Sequence, residues 1–249
     1  MTIDTVLGYY PHTTGSEWHR GPDGGWSHRT AKIGNDGRNM GIVGPYADIG
    51  DDVRIGDDVR IGDDVRIGDH ATVGRLAKID EHAKIGEGAK IHVYAWIGDY
   101  AWIGEHANIG EHAKIGERAK IGERAMIHGY ARIGDHAWIG EHAWIGDFAE
   151  IGDDVRIGCE AAVDIGEVFN SNPLYIAGSE WPVYMSSLTN LGIGCEIHPL
   201  AWWVQNADAF FKDRLIGFTA AEYDAYIKLA CKLYAPHLLE AEGRLKEGA

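Results

Sequence analysis

The feature that most constrains this chain is a period of six. From Val43 to Val163 an aliphatic residue stands at every sixth position, twenty-one hexads without an insertion. Two residues before each, from Ile49 on, stands Ala or Val, as at Ala47, Val53, Ala71, Ala149, Val155 and Ala161. Gly usually follows the aliphatic, and an acid follows Gly. A helix asks for apolar residues at a period near 3.6, and a lone strand for a period of 2. Six, held over so long a run, fits neither. It fits a coil of short strands, each pointing one large and one small residue inward, with Gly and Asp at corners where φ is positive.

Hexads such as "IGEHANIGEHAKIG" resemble those of the hexapeptide-repeat superfamily. The resemblance covers about half the chain. It implies a left-handed parallel β-helix of triangular section with three hexads per coil. Twenty-one hexads then make seven coils, a prism about 33 Å long at roughly 4.8 Å per coil. Each coil touches only its neighbours, so both ends need caps. The expected fold is mainly β: a left-handed parallel β-helix of about seven coils with a small C-terminal α/β cap ending in helices. Three units follow: residues 1–42 as an N-terminal cap with a partial coil, 43–163 as the repeat, and 164–249 as a domain of strands and helices. In the last unit Pro199 opens one helix. Thr219, with Glu222 in capping-box position, opens another whose apolar face is Tyr226, Leu229, Ala230 and Leu233. The stretch "GSEWPVYMSSLTNLGIGCEIHPLAWW" loosely resembles small uncharacterised proteins of tailed phages, which implies an origin more than an activity.

Net charge is −15, and the repeat carries 13 basic against 23 acidic residues, which argues against non-specific nucleic-acid binding. The opening "MTIDTVLGYYPHTTG" has neither a basic nor an apolar signal region, and no run reaches the length of a membrane span. Cys159, Cys195 and Cys231 lie far apart and read as reduced thiols. The expected compartment is the cytoplasm, that of the host cell if the origin is a phage.

With three hexads per coil, residues eighteen apart share an edge. One corner carries Leu76, Tyr94, His112, Tyr130 and Phe148, an apolar and aromatic ladder. The same corner replaces Gly by His92 and His128, and the acid by Val93 and Gly129. His92, Tyr94, Glu111, His112, His128 and Tyr130 are therefore expected in one patch about three coils tall. Beside it the outward strand positions read Arg60, Lys78, Trp96, Lys114, Arg132; the next face reads Arg66, Lys84, Trp102, Lys120, Trp138, Arg156; Trp144 lies on the third. Cations interleaved with tryptophans can hold an anionic, stackable ligand, or offset neighbouring acids. Exposed tryptophans also mark an interface.

The resemblance brings in acyl- and nucleotidyl-transferases and γ-type carbonic anhydrases. The transferases place a catalytic His on or near a loop extruded from the coils, in a cleft between subunits of a trimer; here no loop interrupts the hexads. The anhydrases resemble "MIHGY" (Met126–Tyr130), but the position five residues before His128 is Glu123 rather than a second His. His92 and His128, two coils or roughly 10 Å apart, are too distant to share one metal. The expectation is a non-enzymatic homotrimeric binding or scaffold protein, without catalytic residues, metal or cofactor, holding a small nucleotide-like anion between subunits. Its ligand or interface residues are His92, Tyr94, Trp96, Glu111, His112, Lys114, His128, Tyr130 and Arg132, with Trp102, Trp138 and Trp144 at subunit contacts. Two other readings stay open: an atypical hexapeptide transferase or carbonic-anhydrase-like enzyme, and a purely structural assembly protein.

Overall fold

The computed structural model describes residues 3, 6–7, 14–20, 25–30, 32–33, 38–39, 41–176, 183–194, 196–211 and 220–235. Over the hexads the chain forms two-residue strands, each ending on the aliphatic residue. The first residue points outward and the second inward, as in Asn108–Ile109 and Lys114–Ile115. Each strand pairs in parallel with those eighteen residues before and after it: Val73 with Ile91, Ile91 with Ile109, Ile109 with Ile127. Three sheets of ten, eight and eight strands result, one per face of the prism. The aliphatic residues and the small residues before the strands fill one continuous core; Ile97, Ile103, Ile109 and the alanines beside them are fully buried.

The corners differ from the sequence expectation in one respect. Positive φ falls on the third residue after each aliphatic, whatever that residue is: Asp64 at 56°, His112 at 57°, Tyr130 at 59°, Arg118 at 54°. The corner N–H donates to a corner carbonyl one coil earlier, as His112 does to Val93 O at 3.1 Å. This offsets the cost of a left-handed conformation for a residue with a Cβ. The repeated Gly serves another purpose, close approach. A Cβ on Gly110 would lie 2.5 Å from the carbonyl carbon of His128 in the next coil.

The prism extends beyond the regular tract at both ends. Strands Trp26–His28, Lys32–Ile33 and Arg38–Asn39 form a coil in a register of sixteen residues, pairing Ser27 with Val43, Ile33 with Ile49 and Asn39 with Ile55. Strand Trp18–Arg20 runs antiparallel along its edge. At the far end Val168–Phe169 pairs with Glu150–Ile151, with Phe169 taking the aliphatic position. A four-stranded antiparallel sheet follows, from Tyr175–Ile176 to Glu196–Pro199. It is tied to the last coil by Asp164 N donating to Ser186 O and by Tyr175 Oη donating to Cys159 O.

The helix Leu200–Phe211 packs on that sheet, with Trp203 Nε1 donating to Leu191 O at 2.8 Å. The helix Ala220–Tyr234 docks by Tyr223, Ile227, Ala230 and Cys231. Of the apolar face expected from sequence only Ala230 is fully buried; Leu229 and Leu233 are exposed. The helix is turned because Tyr223 stacks on Phe211, ring centroids 4.8 Å apart, and the positions four, seven and eight residues on follow it inward. The expected Thr219–Glu222 cap, like Cys195, lies outside the described residues and side chains.

Two substitutions test this register. Ile109→Asp puts an unpartnered carboxylate into the core at a cost of several kcal/mol or more, so the repeat should lose its β signal in circular dichroism. Gly110→Ala should lower the denaturation midpoint although Ala normally stabilises relative to Gly, because its Cβ meets the backbone of the neighbouring coil.

Candidate functional site

The corner residues eighteen apart share one backbone conformation, so their side chains repeat at the coil spacing. Tyr94, His112, Tyr130 and Phe148 stack in a column, with centroids 4.6, 4.8 and 5.0 Å apart and planes within 13° of parallel. Glu111 Oε1 stands 3.6 Å from His112 Nε2. Tyr94, Tyr130 and Phe148 remain exposed. Among the described residues the C-terminal helices do not cover this column.

The residue in the Gly position belongs to the end of the preceding strand, so His92 and His128 project on the face before the corner. There, two coils apart, they line one cleft of about 430 Å³. Asn108, Gly110 and Met126 line it on that face, and Glu111, Tyr130, Asp147 and Phe148 line it on the corner side. His92, Glu111, His128 and Tyr130, expected in one patch, line this cleft. Tyr94 and His112 stand in the column beside it. Trp96, Lys114 and Arg132 lie around the corner on the adjacent face, since each is four residues past the Gly position. Trp144 touches the site through His128, ring centroids 4.8 Å apart. Trp102 and Trp138 stand exposed on the remaining face.

Within the cleft His128 has the most directed surroundings. Its Nδ1 lies 4.0 Å from Asp147 Oδ1, an ion-pair rather than a hydrogen-bond distance. That carboxylate oxygen is itself held by the N–H of Gly129 at 2.8 Å. Gly129, which stands where an acid usually stands, leaves room: a Cβ there would approach the same Asp147 oxygen at 3.3 Å. Backbone pairing survives both breaks in the repeat, with His92 N donating to Ile109 O and His128 N to Ile145 O, each at 2.9 Å. A second polar group stands out. Asn108 occupies the outward strand position that carries Lys or Arg on many coils, and its Oδ1 is shut from solvent without a hydrogen-bond partner among the described residues. An unfilled buried acceptor costs about 1–3 kcal/mol.

Sequence reasoning passed over Asn108, Asp147 and Asp80. Asp80 also replaces the Gly of its hexad, the same signal that singles out His92 and His128. It accepts from Trp96 Nε1 and pairs with Lys78 at 2.7 Å. Trp96 also has Lys78 and Lys114 over its ring at 5.1 and 5.9 Å. The cations of the Trp102 face line two further clefts, of about 540 Å³ by Arg66 and Lys84 and about 590 Å³ by Lys120 and Arg156. Among the described residues no group of three His, Cys, Asp or Glu side chains is placed to hold a metal ion. None of the described helices is long and apolar enough to cross a membrane.

A family model described as bacterial transferase hexapeptide (six repeats) matches residues 94–129, the segment that runs through the cleft. Among curated proteins none matches the chain. Solved structures with a similar fold include the UDP-N-acetylglucosamine acyltransferase of Francisella novicida, 20% identical, covering 86% of this chain and 88% of that one at a TM-score of 0.44. The UDP-N-acetylglucosamine O-acyltransferase of Moraxella catarrhalis is 18% identical over 86% and 96%, at a TM-score of 0.38. The GDP-perosamine N-acetyl transferase of Caulobacter crescentus is 17% identical over 63% of each chain, at 0.34. The transferase family match overturns the expectation of a non-enzymatic binding or scaffold protein. The missing extruded loop misled that reading, because here the cleft is made by side-chain replacements inside unbroken coils.

The ring column has its own test. His112→Ala removes two stacked pairs, each worth about 0.5–1.5 kcal/mol beyond buried area. Urea denaturation should show a loss of about 1–3 kcal/mol with the β signal of the native state unchanged.

Proposed function

We propose that this chain, which belongs to the hexapeptide-repeat superfamily, is a transferase that moves an acyl group onto a small acceptor, with His128 as general base. The observation that carries the reading is the Asp147–His128 pair in a cleft at a break of the repeat, with His128 inside the segment that the transferase family model matches. Asp147, 4.0 Å from Nδ1, would draw that nitrogen's proton toward itself and leave Nε2 for the substrate. Nε2 takes a proton from the acceptor's hydroxyl or amine as the acceptor attacks the acyl carbonyl carbon. The tetrahedral adduct then collapses, and His128 returns the proton to the leaving group, a thiolate if the donor is a thioester. His92, two coils away in the same cleft, is suited to hold the acyl oxygen.

The proposed assembly is a homotrimer, as in the transferases this family includes. It is supported by the exposed column of Tyr94, Tyr130 and Phe148 and by the exposed Trp96, Trp102 and Trp138, which are too apolar to face water along a whole prism. Such an assembly would wall the open side of the cleft with a second subunit. We place the protein in the cytoplasm, in keeping with the free thiol of Cys159.

A panel of acyl thioesters with amine and hydroxyl acceptors, followed by thiol release, tests the activity. His128→Ala should lower kcat by about 10²–10⁴, the usual worth of a general base, while melting and light scattering stay those of the parent. Undiminished turnover in His128→Ala would remove the assignment, and a monomer in light scattering would remove the trimer.

A further inference from the structure

A hydroxyl paired with a buried base stands far from the notch, at the N-terminal end of the prism. The antiparallel ladder there sets Trp18 opposite His28, and Arg29 N donates to Glu17 O at 2.7 Å, so Glu17 and His28 meet across it. Thr30 follows in the turn that leaves the strand Trp26–His28, and its Oγ1 lies 2.8 Å from His28 Nδ1. The His28 side chain is only 5% exposed, with the Trp18 ring edge-on to it at 5.2 Å. Thr30 opens on the cleft of about 540 Å³ that Arg66 and Lys84 also line, room enough for a small molecule.

The hydrogen bonds around this pair fix its protons. Thr30 N–H donates to His28 Nδ1 at 3.3 Å, so Nδ1 is an acceptor and the imidazole proton sits on Nε2. The contact of Oγ1 with Nδ1 is then made by the hydroxyl proton, while Oγ1 itself accepts from Tyr46 N–H at 2.9 Å. On the other side of the ring Nε2 faces Glu17 Oε1 at 4.0 Å. The second oxygen of Glu17 accepts from Thr14 N at 2.6 Å and from Thr14 Oγ1 at 2.9 Å. Those bonds hold the Glu17 carboxyl below the usual carboxylate range. An ionised Glu17 favours the imidazolium that forms when His28 takes a proton. Closing the turn needs only the hydroxyl; a buried imidazole backed by a fixed carboxylate is what activates a nucleophile.

We propose that Thr30 is a nucleophile that takes the acyl group of a small carboxylic ester, at a second site sharing no lining residue with the notch. The proposal does not rest on the transferase reading of His128. Thr30 Oγ1 forms a bond to the carbonyl carbon of the ester while its proton passes to His28 Nδ1. Arg66 and Lys84 are the cations of this cleft and the groups available to the oxyanion that develops. As the adduct collapses, the bond from the carbonyl carbon to the leaving oxygen breaks, and His28 returns the proton to that oxygen. The products are an acyl ester of Thr30 and a free alcohol. Water, giving its proton to His28 in the same way, then releases a carboxylic acid and restores the hydroxyl.

The test is p-nitrophenyl acetate on the full chain, read by release of p-nitrophenolate and by mapping the acetyl group on protein quenched in acid during turnover. The acetyl should be found on Thr30. Thr30→Val should lose it with the β signal in circular dichroism kept, and Thr30→Ser should retain it. His28→Asn, which keeps a polar group near the place of Nδ1 but no base, should slow acetylation of Thr30 by about a hundredfold or more. His128→Ala should leave that acetylation unchanged, which separates this site from the notch. Acetyl groups confined to other side chains, with Thr30 unmodified in the parent, would overturn the proposal whatever the variants do. Acetylation of Thr30 that keeps its rate in His28→Asn, or that is lost in His128→Ala, would overturn it as well. Should Thr30→Val fail to fold, the map of the parent and the rate in His28→Asn still decide.

Discussion

Each coil hangs from the next by the N–H of the residue after the aliphatic, which donates to an aliphatic carbonyl at 2.6–2.9 Å along the whole repeat. At most of these glycines the two backbones come so close that a Cβ would collide with the coil beyond, whereas at His92 and His128 the same bond, at 2.9 Å, accommodates one. Everything else depends on this bond. The approach fixes the eighteen-residue register, which sets Ile on Ile and Ala on Ala in the core. It also sets outward residues in columns at one coil spacing, so that Tyr94, His112, Tyr130 and Phe148 stack without any contact designed pair by pair.

The same constraint makes a departure from Gly informative. A residue larger than Gly in that position projects from the end of a strand on the face before its corner. His92 and His128 make two such departures on one edge, separated by a regular coil with Gly110 at its centre. The result is a notch: two imidazoles stand out and the glycine between them recedes. A cleft is thus carved into a solenoid without breaking its backbone, where an inserted loop would have interrupted the ladder. Gly129 and Asp147 complete it, the first by leaving space and the second by fixing its carboxylate on the Gly129 amide.

Much of this was legible in the residues. A period of six with no insertion specifies strand length, register and the inward residues, because a single-residue slip would turn every Ile outward. The corner that holds the cleft was legible too, since His92 and His128 break the strictest rule in the chain. Which side of the corner they serve was not. Period alone does not tell whether the residue after the aliphatic projects with the strand before or the strand after, and so Trp96, Lys114 and Arg132 were grouped with a cleft they do not line. Asn108 escaped notice because Asn at an outward position looks like an ordinary polar substitution until its Oδ1 is seen to be covered. The transferase reading was obscured for the reason already visible in the fold: the cleft has no loop of its own. In the C-terminal helix Ala220–Tyr234 more than one apolar face is available, and the choice of Tyr223 over Leu229 is made by Phe211 on another element.

The account's central claim is that the acid-lined notch between His92 and His128 is where acceptor and donor meet. The most direct measurement is a crystal structure of the full chain with a non-reactive thioether analogue of an acyl thioester. The account predicts the analogue's carbonyl carbon in the notch, within reach of His128. Ligands seated instead in the cationic clefts of the Trp102 face, by Arg66 and Lys84 or by Lys120 and Arg156, with the notch empty, would contradict it.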